Sequence, residues 1–548
     1  MIHPDIHRPL AAWVTVATLA GLLAAGAARA DATAEPGPAA SEAATASVVT
    51  TTTTTTTTAT PPAPRQAQWG DPLVVADATP AAATPAAGAA PVPAPGAPGA
   101  PSAATEAANA AAAAARAGRL SELPALLRVA PALPLAEGAR TDDAVPALSL
   151  AAALPRGVSQ SREVQAADAR RESFEYTVHA AQGAGRPQVN LRVAQGRGRL
   201  ETPGAGGDDL DRHDSNLTVR QSLFDRPTRL EVDRQSALFR SAQLQWRGAV
   251  STASVDVASA YLQALQSRLT LELSRDHEQR LGELLDYISK RAEAGGTSNA
   301  ERDRVKARVA NARAQMADSR AMLRTAVRNL ESLLGEAPTG LLVALPEGLL
   351  VPGDAGYALE EARQANPELA SARAEVEAVR LEASGHGARG LPRVDLEVVH
   401  NRGANAAGSV NHQRDTRAQV VMSWSLSDGG TERAQERAAL ARQREKQLRL
   451  EETERKLRQE LDGAYANLDA VGERFAALRT ELEANATVVQ AFQAQLVGGN
   501  RPLLDVLDAY QRLYQTRLDL TSVVVGEVQN QFKVAHLTGR LFNLGWRP

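Results

Sequence analysis

The stretch Val420-Val421-Met422-Ser423-Trp424-Ser425-Leu426-Ser427-Asp428-Gly429-Gly430 joins two kinds of periodicity. Val420, Met422, Trp424 and Leu426 alternate with smaller side chains, which is the period-two pattern of a strand with one apolar face. At about nine residues such a strand is long enough to cross a bilayer when tilted. Asp428-Gly429-Gly430 then turns the chain into a run to Val497 with no Pro and almost no Gly. Within it Leu461, Ala464, Leu468, Val471, Phe475, Leu478 and Leu482 step by three and four, the narrow seam of a coiled coil. At 1.5 Å per residue this helix reaches roughly 100 Å, too long to wrap a compact core.

Reading outward, a second strand precedes the first. Val394, Leu396 and Val398 alternate with Asp395 and Glu397, and the Gly-rich polar stretch Gly403 to Thr416 between the two strands reads as an exposed hairpin loop. The same series occurs earlier in the chain. Val189, Leu191 and Val193 lie 205 positions before Val394, Leu396 and Val398; Ser222-Leu223-Phe224-Asp225 lies 203 before Ser425-Leu426-Ser427-Asp428; Ala260-Tyr261 lies 204 before Ala464-Tyr465; and Gly295-Gly296 lies 203 before Gly498-Gly499. Landmarks in one order at nearly constant offset mark a duplication. The first copy has its own second strand, with Leu217, Val219 and Leu223 on one face, a hairpin loop from Gly198 to Asp214, and a long helix to Ala294 seamed by Val255, Ala258, Leu262, Leu265 and Leu269. The expected organisation is a first repeat over 141–338, a connector over 339–357 and a second repeat over 358–548, each repeat running helix, two strands, long helix, tight turn, shorter helix.

Four lipid-length strands do not close a barrel, because bacterial transmembrane barrels need at least eight. An open sheet in lipid leaves edge amides unpaired at several kcal/mol each. The chain is therefore expected to give a share of a barrel built by several copies: two would make eight strands, three would make twelve, and only the wider one leaves a pore. The lipid face is assigned to Val189, Leu191, Val193, Leu217, Val219, Leu223, Val394, Leu396, Val398, Val420, Met422, Trp424 and Leu426.

The duplication, the strand pairs, the Gly turns after the long helices and the segment Gly499-Asn500-Arg501-Pro502-Leu503-Leu504-Asp505-Val506-Leu507-Asp508-Ala509 together resemble the TolC family of outer-membrane efflux and secretion channels, over nearly everything from Pro146 to Leu541. The resemblance implies a mainly α fold with a transmembrane β part. The four strands become a third of a trimeric twelve-stranded β-barrel, continued by a long α-helical periplasmic tunnel. It implies a homotrimer in outer-membrane lipid, partnered by a periplasmic adaptor (membrane fusion) protein and an inner-membrane transporter, either ABC or proton-driven. It makes the chain a passive exit duct.

Asp505 and Asp508 are three apart, so on a helix they share a face. Composition alone reads them as two solvated surface charges; the resemblance makes them rings of carboxylates at the periplasmic pore entrance, where threefold repetition concentrates negative field and favours cations. Arg501 stands where the family carries an Arg that holds the entrance closed, with Glu301 or Asp303 of the first repeat as partner; the family's aromatic partner would fall at Leu496, which is not aromatic. Gly295, Gly296, Gly498 and Gly499 sit where the long helices reverse, a place suited to positive φ, and these tips are the expected adaptor contact.

The rest of the chain sets the compartment. Leu10 to Ala28 is apolar and ends in Ala28-Arg29-Ala30, a secretory cleavage pattern, so residues 1–30 read as a signal peptide rather than an anchor. Residues 31–140, rich in Ala, Pro, Gly and Thr, have too little bulky apolar surface to offset ordering entropy and read as a disordered leader. With 60 Lys and Arg against 63 Asp and Glu, no basic surface invites nucleic acid. No Cys is present, which excludes disulfides, thiol catalysis and a lipobox anchor. His386, His400 and His412 lack metal-ligand spacing, and no GxSxG or HExxH occurs, so no metal, cofactor or enzyme activity is expected. The missing lipobox favours type I protein secretion over small-molecule efflux as the export task. A periplasmic coiled-coil spacer is the alternative of another class, and it has no use for the lipid-length strands.

Overall fold

A computed structural model of the chain describes residues 118–135, 147–201, 207–344, 351–404 and 412–543. The segments expected as a signal peptide, 1–30, and as a leader, up to residue 117, lie outside them.

Helix α1 spans 118–127 and strand β1 is Ala132–Pro134. Helices α2 (Leu150–Gln160) and α3 (Arg162–Ala184) lead into strands β2 (Gln188–Glu201) and β3 (Gly207–Phe224). Helix α4 (Arg226–Glu293) has 68 residues and turns back into α5 (Asn299–Leu334). After β4 (Gly340–Leu342) the order repeats: α6 (Ala355–Ala365), α7 (Pro367–Ala388), β5 (Arg393–Ala404), β6 (His412–Ser423), the 67-residue α8 (Thr431–Val497) and α9 (Leu503–Leu537), with a final turn of helix α10 (Arg540–Asn543).

Each long helix starts on an aspartate. Asp225 caps α4 by accepting from the Thr228 amide at 3.2 Å, and Asp428 accepts from the Gly430 and Glu432 amides at 2.9 and 2.7 Å. These carboxylates satisfy N–H groups that have no partner inside a helix. The seams are buried as their spacing requires: Ala258, Leu262, Leu265 and Leu269 on α4, and Leu461, Ala464, Leu468, Val471, Phe475 and Leu482 on α8. Tyr261 and Tyr465, one per repeat, tie the long helices to the chain beside them. The Tyr261 hydroxyl lies 2.7 Å from the carbonyls of both Leu148 and Leu342 and 3.0 Å from the Leu342 amide, and the Tyr465 hydroxyl donates to the Pro352 carbonyl at 2.7 Å.

β2, β3, β5 and β6 form one antiparallel sheet in that order, leaving β2 and β6 as its edges. Directly paired residues share a face. Val189, Val219 and Val398 make one row, Leu191 and Leu217 another, and Leu396 with Val420 a third. The opposite face is polar: Arg220 Nε donates to Glu397 at 2.8 Å and Gln419 reaches the same carboxylate at 3.3 Å.

Several expectations are corrected. The strands are longer than nine residues, and most of Gly198–Asp214 and the flanks of Gly403–Thr416 are strand, not loop, because the ladder continues past the apolar rows on cross-strand polar pairs such as Arg197 with Asp211 at 3.1 Å. Only 202–206 and 405–411 lie outside the described residues. A bulge between Ser222 and Phe224 sets Phe224, not Leu223, opposite Val394 and Met422, so Phe224 takes the position on the apolar face that alternation assigned to Leu223. β6 ends at Ser423, so Trp424 and Leu426 lie beyond the strand; both are exposed, and the Trp424 indole donates to the Gly390 carbonyl at 3.0 Å. Part of the stretch expected as a disordered leader, residues 118–135, is folded, since Leu120, Leu123 and Leu127 at helical spacing are buried with Leu133 in the core, and Arg119 pairs with Glu527 at 2.6 Å. The connector holds β4, which pairs with β1 in a small sheet that the sequence reading did not foresee.

The helices lie in a single layer. Toward the sheet the neighbours run α3, α4, α7, α8; toward the tips they run α5, α4, α9, α8. Inner helices α4 and α9 are buried along much of their length, whereas α3, α5 and α8 bury little beyond the stripe against their inner neighbours. Edge strand β2 shares one flank with α3 and α5, and edge strand β6 shares the other with α8.

Candidate functional site

The two helical tips hold the predicted site residues. At the first, Gly295 has φ +78° and the Gly296 amide donates back to the Arg291 carbonyl at 2.8 Å. At the second, Gly499 has φ +78° and the Asn500 amide donates to Gln495 at 2.9 Å. Both are helix ends closed by a six-to-one hydrogen bond through a left-handed residue. The four glycines are thus not equivalent. Gly498 is right-handed, with φ −72°, and Gly296 has no positive φ; an added Cβ there would lie 3.1 Å from Arg291 Cγ. Gly295 corresponds to Gly499, so the true offset here is 204 rather than 203.

α5 begins on a capping pair, with Ser298 accepting from the Glu301 amide at 3.2 Å. The Glu301 carboxylate accepts from the Thr297 hydroxyl, and Asp303 pairs with its neighbour Arg302 at 3.2 Å. α9 begins at Leu503 after Pro502, which places Asp505 in the first turn, where the helix dipole favours an anion.

Arg501 lies with neither Glu301 nor Asp303 within the chain. Its Nε stands 3.0 Å from Asp505 Oδ2, as an ion pair whose angle is too poor for a hydrogen bond, and its guanidinium carbon sits 3.7 Å above the centre of the Phe492 ring. Phe492 is the residue the sequence reading missed. It lies one turn before Leu496, the position to which the resemblance assigns an aromatic, and it presents a π face to the cation. Leu496 is buried instead, and its carbonyl accepts from Arg291 Nη1 at 3.2 Å. Arg291, also missed, donates to the Gly296 carbonyl at 3.2 Å as well and so ties the first tip to the second. Asp505, half-exposed, is partly neutralised by Arg501; Asp508 is exposed and has no ion pair among the described residues.

Above the tips, α4, α5 and α9 share a buried polar knot. Ser274 Oγ is 3.1 Å from Ser319 Oγ and 2.9 Å from the Tyr514 hydroxyl, and the His277 ring stacks on Tyr514 with centroids 4.5 Å apart. Burial pushes His277 down to about 4, with Arg280 and Arg308 adding to the shift and Asp276 opposing it. Arg517 Nη1 donates to Asp276 at 2.6 Å.

The sequence profile of the family described as Outer membrane efflux protein matches residues 155–336 and 358–539. The chain belongs to the outer membrane efflux protein family. Among curated members it is 26% identical over 321 residues to the Alkaline protease secretion protein AprF of Pseudomonas aeruginosa, covering 57% of this chain and 66% of that protein. It is 23% identical over 388 residues to Outer membrane protein TolC of Vibrio cholerae, covering 68% of this chain and 86% of that one. Among solved structures, the outer-membrane channel OprN superposes with a TM-score of 0.61 at 19% identity, over 73% of this chain and 91% of OprN. Family membership places the four-stranded sheet in the outer membrane and the helices on its periplasmic side, and it makes the chain part of a channel rather than an enzyme.

Proposed function

We propose that three copies close into a twelve-stranded barrel over a helical tunnel, and that this duct is the outer-membrane exit of a type I protein export system. The observation that carries the reading is that each chain ends in two complementary flanks, β2 with α3 and α5 on one side and β6 with α8 on the other. Edge strands and outer helices that bury so little are incomplete alone; a β2 edge meeting the β6 edge of the next copy satisfies both, and a head-to-tail contact of this kind closes a ring. Protein cargo is supported by the relative named for alkaline protease secretion. Asp505 and Asp508 form the entrance carboxylates, with Asp508 the stronger of the two because Arg501 offsets Asp505. Arg501 links to Glu301 or Asp303 between copies, and the tips at Gly295, Gly296, Gly498 and Gly499 meet a periplasmic adaptor that joins the duct to an inner-membrane ABC transporter.

The test is deletion of the gene in its own cell. Loss of one exported protein from the medium, restored by the intact gene, is the expected result; unchanged protein export with a loss of small-molecule tolerance would assign the duct to an efflux pump instead.

A further inference from the structure

The two outer helices at the tip end carry opposite charge. α5 has eight Lys and Arg against four Asp and Glu, whereas the lower part of α8, from Glu460 to Val497, has two Arg against six Asp and Glu. These charges are arranged in stripes. At 100° per residue, Arg313, Arg324 and Arg328 fall within an arc of about 60° on α5, and Asp469, Glu473 and Glu483 within about 80° on α8. All six are exposed, and the centre of each stripe lies about 100° round its helix from the centre of the seam that packs on its own chain, Val309, Ala312, Leu323 and Leu330 on α5 and Leu461, Leu468, Phe475 and Leu482 on α8.

The stripes also match in height. Arg313, Arg324 and Arg328 lie 14, 25 and 29 positions above Asn299, and Glu483, Glu473 and Asp469 lie 14, 24 and 28 positions above Val497. Both counts start at tips that Arg291 holds together. Toward α4, helix α5 lines a groove with Arg320, Arg324 and Arg328, facing Arg268 and Arg275; Glu272 pairs with both of those α4 arginines, so the excess positive charge is that of α5 itself. The partners these charges have within the chain, such as Arg313 with Glu278 at 2.8 Å and Glu483 with Arg479 at 3.5 Å, are surface pairs of small worth and are readily exchanged.

We propose that the basic stripe of α5 seats the acidic stripe of α8 from a second copy of this chain. Each copy gives one stripe and receives the other, so the charge pattern favours the head-to-tail order that closes a ring and opposes contact of α5 with α5 or α8 with α8. This rests on the trimer reading above and adds to it the register in which copies meet.

The chain contains no Cys, so thiol cross-linking has no background. The variant Arg324→Cys/Glu473→Cys, solubilised in detergent and treated with a short bismaleimide, is expected to give covalent dimer and trimer bands. Arg324→Cys/Glu445→Cys, whose second thiol lies far up α8, is expected to give none. Within one chain α4 and α9 stand between the two thiols, so a link reports a neighbour. A preparation that is trimeric yet links no better than the control overturns this pairing while leaving the trimer intact; a preparation that is monomeric overturns the trimer reading itself. A second arm reverses one stripe, Arg313→Glu/Arg324→Glu/Arg328→Glu, or the other, Asp469→Lys/Glu473→Lys/Glu483→Lys. Each is expected to lower the trimer fraction at least tenfold on dilution, with recovery when both are combined; trimer levels indifferent to either reversal, or no recovery in the combination, contradict the proposal.

Discussion

Gly295 and Gly499 make the tip turns through their backbone conformation, and Gly498 does not. An L-residue at φ near +78° costs roughly 1–2 kcal/mol, whereas a right-handed position accepts Ala freely. Gly499→Ala and Gly295→Ala are therefore expected to lower the melting temperature, while Gly498→Ala leaves it nearly unchanged; equal effects at Gly498 and Gly499 would contradict the assignment. The sequence could show that glycines sat at the reversals but not which of each pair turned left-handed, because that depends on where the last helical hydrogen bond closes. Arg501 was legible as a tip cation, and its partners were not: it stands just before the helix that begins at Leu503, so its contact with Asp505 depends on the turn at Pro502 and not on helical spacing. With Phe492 beneath and Asp505 beside, Arg501 is held at the tip, and Arg501→Ser should raise single-channel conductance in planar bilayers. Conductance equal to wild type means that Arg501 is not a latch.

At the scale of elements, the long helices were readable from seam spacing, since a stripe of three- and four-residue steps over so many turns leaves no other fold. The strand ends were not, because polar residues beyond the apolar rows still pair across the ladder, and period-two hydropathy reports only the part with one apolar face. α1 was missed because it sits in an Ala-rich context where three leucines are easily discounted. The knot joining α4, α5 and α9 gives an element-scale prediction. His277 titrates near 4 when folded and near the ordinary 6.5 when unfolded, so the unfolded chain binds the extra proton first. Its contribution is present above about pH 6.5 and is lost as pH falls toward 4, on the order of 3 kcal/mol per chain. His277→Phe keeps a ring against Tyr514 without a titratable nitrogen. Its melting temperature should fall less than that of wild type between pH 7 and pH 4; parallel curves would show that His277 does not set the acid sensitivity.

For the whole molecule, few aromatics and abundant Ala suit helices packed in a thin layer, which is what α5, α4, α9 and α8 form. No chain in such a layer completes its own surface: two sheet edges and three under-buried helices remain, and they fall on opposite flanks. The duplication was legible because two copies of one sequence can be laid side by side, while the charge match between α5 and α8 emerged only once the fold had set both at the same height above the tips. The account's central claim is that these flanks meet head to tail and close with three chains. Native mass spectrometry of the channel extracted from outer membranes tests it most directly. A dominant species of three chains is the predicted result; a stable species of one or two chains that conducts ions in bilayers would contradict it.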